Sequence, residues 1–327
     1  RWSLELRRGT PGAPPLARIA QLTGPRHSPA RDMAAVRFHY DAGNDFFSLW
    51  LDRRLTYSCA LFPEGTAATD AAARLDEAQE AKLELICRKL RLGANRRLLD
   101  IGSGWGSLIT YAGERHAALA VGVTLSEPQA ARAEAQARGA GLVGRVHTEV
   151  RDYRDPAPLG PFDAVASVGM VEHVGRANLP AFYRAAFEAV RPGGLVLSHG
   201  IMTSGPPARR LGPDLRPATS HFLDRHVFPD NELLPAEEHL AAARGAGFAI
   251  VDVQSLRPHY ALTLAAWVAR LEARWPEAVT AAGEEVARTW RLYMSADRLG
   301  FERGDLDVCQ LLLARPGEDG LTDLPPP

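Results

Sequence analysis

The run LLDIGSGWG, Leu98–Gly106, is the stretch from which the fold can be read. Leu98, Leu99 and Ile101 form the short apolar run expected of a buried parallel strand, with Asp100 near its end. Gly102, Gly104 and Gly106 follow at alternate positions, and helical pattern resumes over Ser107–Arg115. A strand that opens into glycines before a helix leaves free backbone N–H groups at the C-terminal edge of a sheet. Open α/β sheets bind their ligands at that edge. Glycine is needed there because a Cβ would hold the backbone away from a ligand. Taken alone, such a turn is equally a tight strand–helix connection.

With 327 residues, 46% of them hydrophobic, the chain is ample for one large α/β domain or two small ones. A formal net charge of −1 gives no field that would draw nucleic acid. Cys59, Cys87 and Cys309 lie far apart, with no CxxC and no even framework. They read as reduced thiols of a cytoplasmic protein and form no metal site. No apolar run approaches the length of a membrane span, and no signal peptide is recognisable. Residues 1–35 are rich in proline and arginine and read as a poorly structured leader, the remnant of a further domain or a basic arm for anionic lipid.

Composition then changes abruptly. Phe38–Phe62 is dense in aromatics, and helical spacing of Phe46, Phe47, Leu49, Trp50 and Leu51 is compatible with plain core packing. The polar residues among them, including His39, Tyr40, Asn44, Tyr57, Ser58 and Cys59, suit a ligand pocket equally well. Thr69–Leu90 reads as an amphipathic helix with Ala78, Ala81, Leu85 and Ile86 inward. From Leu98 onward strands and helices alternate: strands at Ala118–Thr124, Val146–Val150, Phe162–Val168 and Leu195–Ser198, helices at Glu127–Arg138 and through Phe182–Val190. That alternation predicts a doubly wound, mostly parallel α/β sheet. The Pro-, Gly- and Arg-rich stretch 200–235 is too long for an ordinary connection and reads as a lid. Beyond it come the helix Ala236–Gly245, the strand Phe248–Val253, helices near Tyr260–Arg274 and Thr280–Ser295, and a last strand Leu306–Ala314. These bring the sheet to seven strands in a single domain over about residues 36–315, with a tail at 316–327.

The glycine turn reads GxGxG, not the GxGxxG of a dinucleotide fold. Strand two ends in Thr124-Leu125-Ser126-Glu127-Pro128-Gln129, which offers hydrogen-bonding side chains for a ribose. Strand three ends in Arg151-Asp152-Tyr153, where Asp152 would accept from an exocyclic amine. A DxGxGxG turn with those two partners is the layout of a Rossmann-like, class I S-adenosylmethionine methyltransferase, with a nicotinamide enzyme as the second reading.

Six separated motifs sharpen this: HYDAGNDFFSLWLD (His39–Asp52), TYSCALF (Thr56–Phe62), LLDIGSGWG, GVTLSEPQ (Gly122–Gln129), SVGMVEHVG (Ser167–Gly175), and HGI (His199–Ile201) with HYALTLAAW (His259–Trp267). In order and spacing, over roughly Val36–Ala314, the chain resembles the cyclopropane-fatty-acid synthase family, which also holds the mycolic acid cyclopropane synthases and related methyltransferases. The resemblance implies that Asp100, Gly102, Gly104 and Gly106 face S-adenosylmethionine and that Tyr57 and Ser58 close over its methionine end. It assigns Thr124 and Gln129 to the ribose region and Asp152 to the adenine, with Leu125 and Arg151 also among the cofactor-binding residues. It also implies a bound bicarbonate ion as catalytic base, held at positions corresponding to Cys59 and Ile201 (through backbone N–H), Glu172, His199 and Tyr260. Tyr40, Phe46 and Phe47 would shield a carbocation in the substrate pocket.

The implied reaction is transfer of a methylene or methyl group to the cis double bond of an unsaturated phospholipid acyl chain, at the inner face of the membrane. The open alternatives are acyl methylation without ring closure and methylation of a small-molecule nitrogen or carbon. A homodimer is compatible with the resemblance. Departures from the family pattern are Ser103 and Gly200, where cysteine and threonine are usual, and Asp297, where some relatives carry a cysteine.

Overall fold

The computed structural model describes residues 19–155, 160–204 and 218–317. The chain begins with helices α1 (Pro29–Tyr40), α2 (Asn44–Ser48) and α3 (Ala71–Lys89). Strands and helices then alternate through β1 (Arg97–Ile101), α4 (Ser107–His116), β2 (Leu119–Thr124), α5 (Glu127–Gly139), β3 (Val146–Val150) and β4 (Phe162–Val168). Two single helical turns, Val171–His173 and Arg176–Asn178, lead into α6 (Leu179–Ala189) and β5 (Val190–Thr203). The remainder comprises α7 (Ala218–His226), α8 (Ala236–Gly245), β6 (Ala249–Ser255), α9 (Arg257–Ala273), α10 (Trp275–Ala282), α11 (Glu284–Arg303) and β7 (Leu306–Ala314).

The seven strands form one sheet in the order β3-β2-β1-β4-β5-β7-β6, parallel except for β7, which runs antiparallel to both neighbours. Chain order reverses between β1 and β4, so the crevice beyond their C-terminal ends is the topological switch point where such sheets bind ligands. β1 sits centrally because Leu98, Leu99 and Ile101 bury both its faces. One apolar cluster (Leu83, Ile86, Leu108, Ile109, Leu197) covers one face of the sheet and a second (Leu99, Ile101, Phe182, Tyr183, Leu311) the other. A third, richly aromatic cluster joins α2, α9, α10, α11 and the 55–62 segment, and meets the glycine turn at Trp105 and the sheet at Val308. Each fully buried Leu or Phe contributes about 1.5–3 kcal/mol.

Several expected boundaries move, each for a local reason. The leader does not extend to residue 35: α1 starts at Pro29, which supplies the fixed φ favoured in a first helical turn. Residues 1–18 of that leader lie outside the described residues, as do 205–217 of the expected lid and 318–327 of the tail. The described part of 200–235 contains α7. β5 outruns Leu195–Ser198 because antiparallel β7 continues the ladder through Thr203↔Leu306. The expected helix Thr280–Ser295 is two helices broken at Gly283, whose φ of 85° lies in the left-handed region. In α3, Ala78 and Ile86 are buried but Ala81 and Leu85 are only partly covered; polar Gln79 and Lys82 turn inward instead.

Candidate active site

A cleft opens at the switch point. Its floor is the glycine turn, with Gly102 and Gly104 both at positive φ. A Cβ on Gly102 would strike the Met170 side chain at 2.8 Å, whereas one on Gly104 would meet nothing within 4 Å and project into open space. The first glycine therefore permits close packing and the second keeps the floor low. Gly106 does not line the cleft; its Cβ would strike that of Ala133 at 2.7 Å, so it brings α4 against α5.

Beyond β2, Thr124 donates through Oγ1 to Gln129 Oε1 at 3.0 Å, and both line the cleft with Leu125. Ser126 caps α5 by accepting from the Gln129 N–H, which fixes Gln129 toward the floor. Arg151 lines the cleft, but Asp152 does not. Its carboxylate is taken by Arg154, from Nε at 2.8 Å and Nη2 at 2.6 Å. Burial alone would raise the Asp152 pKa; the Arg154 bonds together outweigh it and hold it below the usual carboxylate range. The wall is completed by residues to which the sequence assigned no cofactor contact: Tyr153 and Arg154 from the same loop, Met170 and His173 after β4, and Asp32 and Val36 from α1. Arg154 ties α1 down, reaching Asp32 at 2.9 Å and the His27 carbonyl at 3.0 Å.

Asp100, Tyr57 and Ser58 lie beside the cleft without lining it. Asp100 is buried with Oδ1 unpartnered, and burial pushes its pKa up to about 7 against the opposing charge of Lys82. The Lys82 amine donates to Ser58 Oγ at 2.8 Å, and burial lowers its pKa to about 8. One turn earlier, the Gln79 amide donates to the carbonyls of Thr56 (3.2 Å) and Ser58 (2.8 Å). These two inward polar residues of α3 hold the Tyr57–Cys59 segment in place, a role that helical periodicity conceals. Tyr57 shares a 3.2 Å hydroxyl contact with Tyr293 of α11.

Past the cleft, the single turn Val171–His173 buries Glu172. Its Oε1 accepts the Ile201 backbone N–H at 2.7 Å, while Oε2 has no partner. Burial raises its pKa to about 7, opposed by that N–H bond. Gly200 makes room: a Cβ there would strike Val171 at 2.2 Å. His199, on the same strand, is buried with Nε2 unpartnered, and burial depresses its pKa to about 3. Tyr260 of α9 is buried, and burial raises its pKa, with neighbouring Tyr293 and Glu172 adding to it. Glu172 likewise raises Tyr40, held near 12 chiefly by burial, with the Gln129 amide opposing. The Cys59 thiol is buried against the Ala60 and Leu256 carbonyls, and burial pushes its pKa up, so it is no thiolate. Asp297, facing Tyr57, Tyr260 and Tyr293, is raised to about 7 by burial.

Of the three aromatics assigned to a substrate pocket, Tyr40 lines the cleft. Phe46 and Phe47 are wholly buried against Trp50 and Trp290 and pack as core. The Trp105 indole donates to Asn44 at 2.8 Å, which fastens the glycine turn to the aromatic motif. His39 is buried between Phe228, stacked at 4.3 Å, and Tyr57 at 5.7 Å.

The family model described as mycolic acid cyclopropane synthetase matches residues 27–311. A probable fatty acid methyltransferase of Pseudomonas putida is 41% identical over 91% of this chain and 73% of its own length. The cyclopropane-fatty-acyl-phospholipid synthase of Escherichia coli K12 is 34% identical over 86% of this chain and 68% of its own. The solved structure of mycolic acid cyclopropane synthase CmaA1, complexed with SAH and CTAB, superposes with a TM-score of 0.79 at 32% identity, covering 86% of this chain and 98% of that one. The chain belongs to the mycolic acid cyclopropane synthetase family of S-adenosylmethionine-dependent methyltransferases.

Proposed function

We propose that this enzyme transfers one carbon from S-adenosylmethionine to the cis double bond of an unsaturated fatty acyl chain and closes a cyclopropane ring. The observation that carries the reading is a pair of buried polar atoms without a partner, Glu172 Oε2 just after β4 and His199 Nε2 on the adjacent β5, with buried Tyr260 in electrostatic reach of Glu172. A desolvated polar atom without a partner is costly, and a bound reactant or ion would satisfy both atoms.

The cleft fits S-adenosylmethionine: open space over Gly104, polar atoms at Thr124 and Gln129, and aromatic and cationic groups at Tyr153, Arg154 and Arg151. When bound, that cofactor supplies an electrophilic methyl group on a sulfonium. Tyr40 and Met170, at the inner end of the cleft, would orient the acyl double bond toward it. The alkene π pair would form the new carbon–carbon bond as the methyl–sulfur bond breaks, leaving a neutral thioether on the cofactor and positive charge on the neighbouring alkene carbon. The aromatic surround of Tyr40, Tyr57 and Trp290 excludes water and faces that charge with ring π-density. Ring closure then requires a base for one proton of the transferred carbon.

The residues also fit bicarbonate as that base. Glu172 Oε2 would accept from its hydroxyl, while Tyr260 and His199 would donate to its oxygens. The Ile201 N–H already donates to Glu172 Oε1, so the anion would share that donor with the carboxylate. The raised pKa of Cys59 argues against a cysteine nucleophile. In this reading the catalytic domain is residues 36–315, working on phospholipid at the inner membrane face; among the described residues no helix is long and apolar enough to cross a membrane.

Mass spectrometry of fatty acids from cells expressing the chain tests the proposal. Monoenes should gain CH2 and lose their unsaturation. Similarity to the Pseudomonas putida protein named as a fatty acid methyltransferase favours a second reading, transfer without ring closure. A CH2 gain with unsaturation retained would establish that instead. Unchanged lipids from an enzyme that binds the cofactor would overturn both.

A further inference from the structure

Strand β7 contributes one polar side chain to the site that has no motif around it. Gln310 is fully buried, stands directly opposite His199 across the antiparallel β5–β7 pair, and brings its amide nitrogen to 3.2 Å from His199 Nδ1. Residues paired across a ladder project from the same face, so the contact follows from register and not from chance. An imidazole in this setting is neutral: it is buried, and the Lys82 and Lys89 cations near it disfavour a second proton. A neutral imidazole carries one N–H, and the partner of one nitrogen decides where that proton sits. An amide NH2 can only donate. With the amide nitrogen turned toward it, His199 Nδ1 accepts, which leaves the proton on Nε2, the nitrogen that has no protein partner.

We propose that Gln310 is a positioning residue that selects the Nε2–H tautomer of His199, so that β5 presents a hydrogen-bond donor, not a base, to the site. The inference rests on the reading of that site given above, and it divides the labour there. His199 holds an oxyanion or a developing negative charge, and proton abstraction falls to the group it holds. Glu172 remains the acceptor on the other side. Replacing Gln310 by Glu reverses the demand: a carboxylate accepts a hydrogen bond from Nδ1–H and leaves Nε2 with a bare lone pair. Replacing it by Leu removes the demand while keeping the volume close.

The tautomer can be read directly. Long-range 1H–15N correlation on histidine-labelled protein, with the His199 signals assigned by their loss in His199→Asn, separates the two forms without cofactor or lipid. The wild type should show Nε2–H, and Gln310→Glu should show Nδ1–H. In turnover, kcat should fall about 10- to 100-fold in Gln310→Glu, and by less in Gln310→Leu, with the cofactor KM little changed. A wild-type signal in the Nδ1–H form would overturn the proposal even if neither variant folded. So would an unshifted tautomer in Gln310→Glu, or an unchanged kcat in both variants. Because the tautomer is read without substrate, a different product or an absent bicarbonate requirement would defeat the reading of the site and leave this inference standing.

Discussion

Replacing Glu172 by Gln should stabilise this protein while disabling it. The carboxylate is buried, satisfied on one oxygen by the Ile201 N–H, and carries a pKa of about 7 against a reference of 4.5. Between those values the folded protein binds more protons than the unfolded chain, so wild-type stability falls as pH rises through this window and is lowest above pH 7. A difference of about 2.5 units is worth about 3 kcal/mol. Glutamine keeps the carbonyl oxygen that accepts from Ile201 and removes the charge. The variant should therefore exceed wild type by about 3 kcal/mol at pH 8, by roughly half of that near pH 6, and by almost nothing below pH 4.5. For a domain of this size that corresponds to a rise in Tm of roughly 6 °C at pH 8. Urea unfolding at the three pH values measures it, and methyl-transfer turnover should fall about 10²- to 10⁴-fold. Equal stability at pH 8, or a gain that does not vary with pH, would refute the assignment of Glu172 as a carboxylate strained by burial.

The glycine turn offers a separation of binding from stability. Gly104→Ala places a methyl in the open cleft and should weaken cofactor binding about tenfold by calorimetry, with roughly 1 kcal/mol of left-handed backbone strain. Gly106→Ala drives a Cβ into Ala133 and should instead lower the urea midpoint more, since α4 and α5 must move apart. Arg154→Met removes the tie to Asp32 and the His27 carbonyl, and hydrogen exchange over Pro29–Tyr40 should quicken about tenfold, the equivalent of one charge-assisted bond. Exchange at the wild-type rate would mean that apolar packing alone holds α1.

What the residues declare on their own is everything that depends on local order. β1, the glycine turn and the β–α alternation after it follow from short-range pattern, because a parallel strand buried on both faces must be continuously apolar and a floor that admits a ligand must lack Cβ atoms. The tertiary structure decides the rest, because it depends on partners far away in the chain. Lys82 and Gln79 sit at helical positions that periodicity would assign to either face, and only docking of α3 against the 56–58 carbonyls and Ser58 turns them inward. Asp152 stands where the adenine partner was expected, yet Arg154, two residues on, claims its carboxylate and joins the wall itself. Phe46 and Phe47 read equally as pocket or core until Trp50 and Trp290 enclose them. Gln310 lies 111 residues from His199 and meets it only through the register of an antiparallel pair. Composition and spacing report which elements form; the direction of a buried polar side chain is set by whichever distant group can satisfy it, and that is settled only when the elements pack.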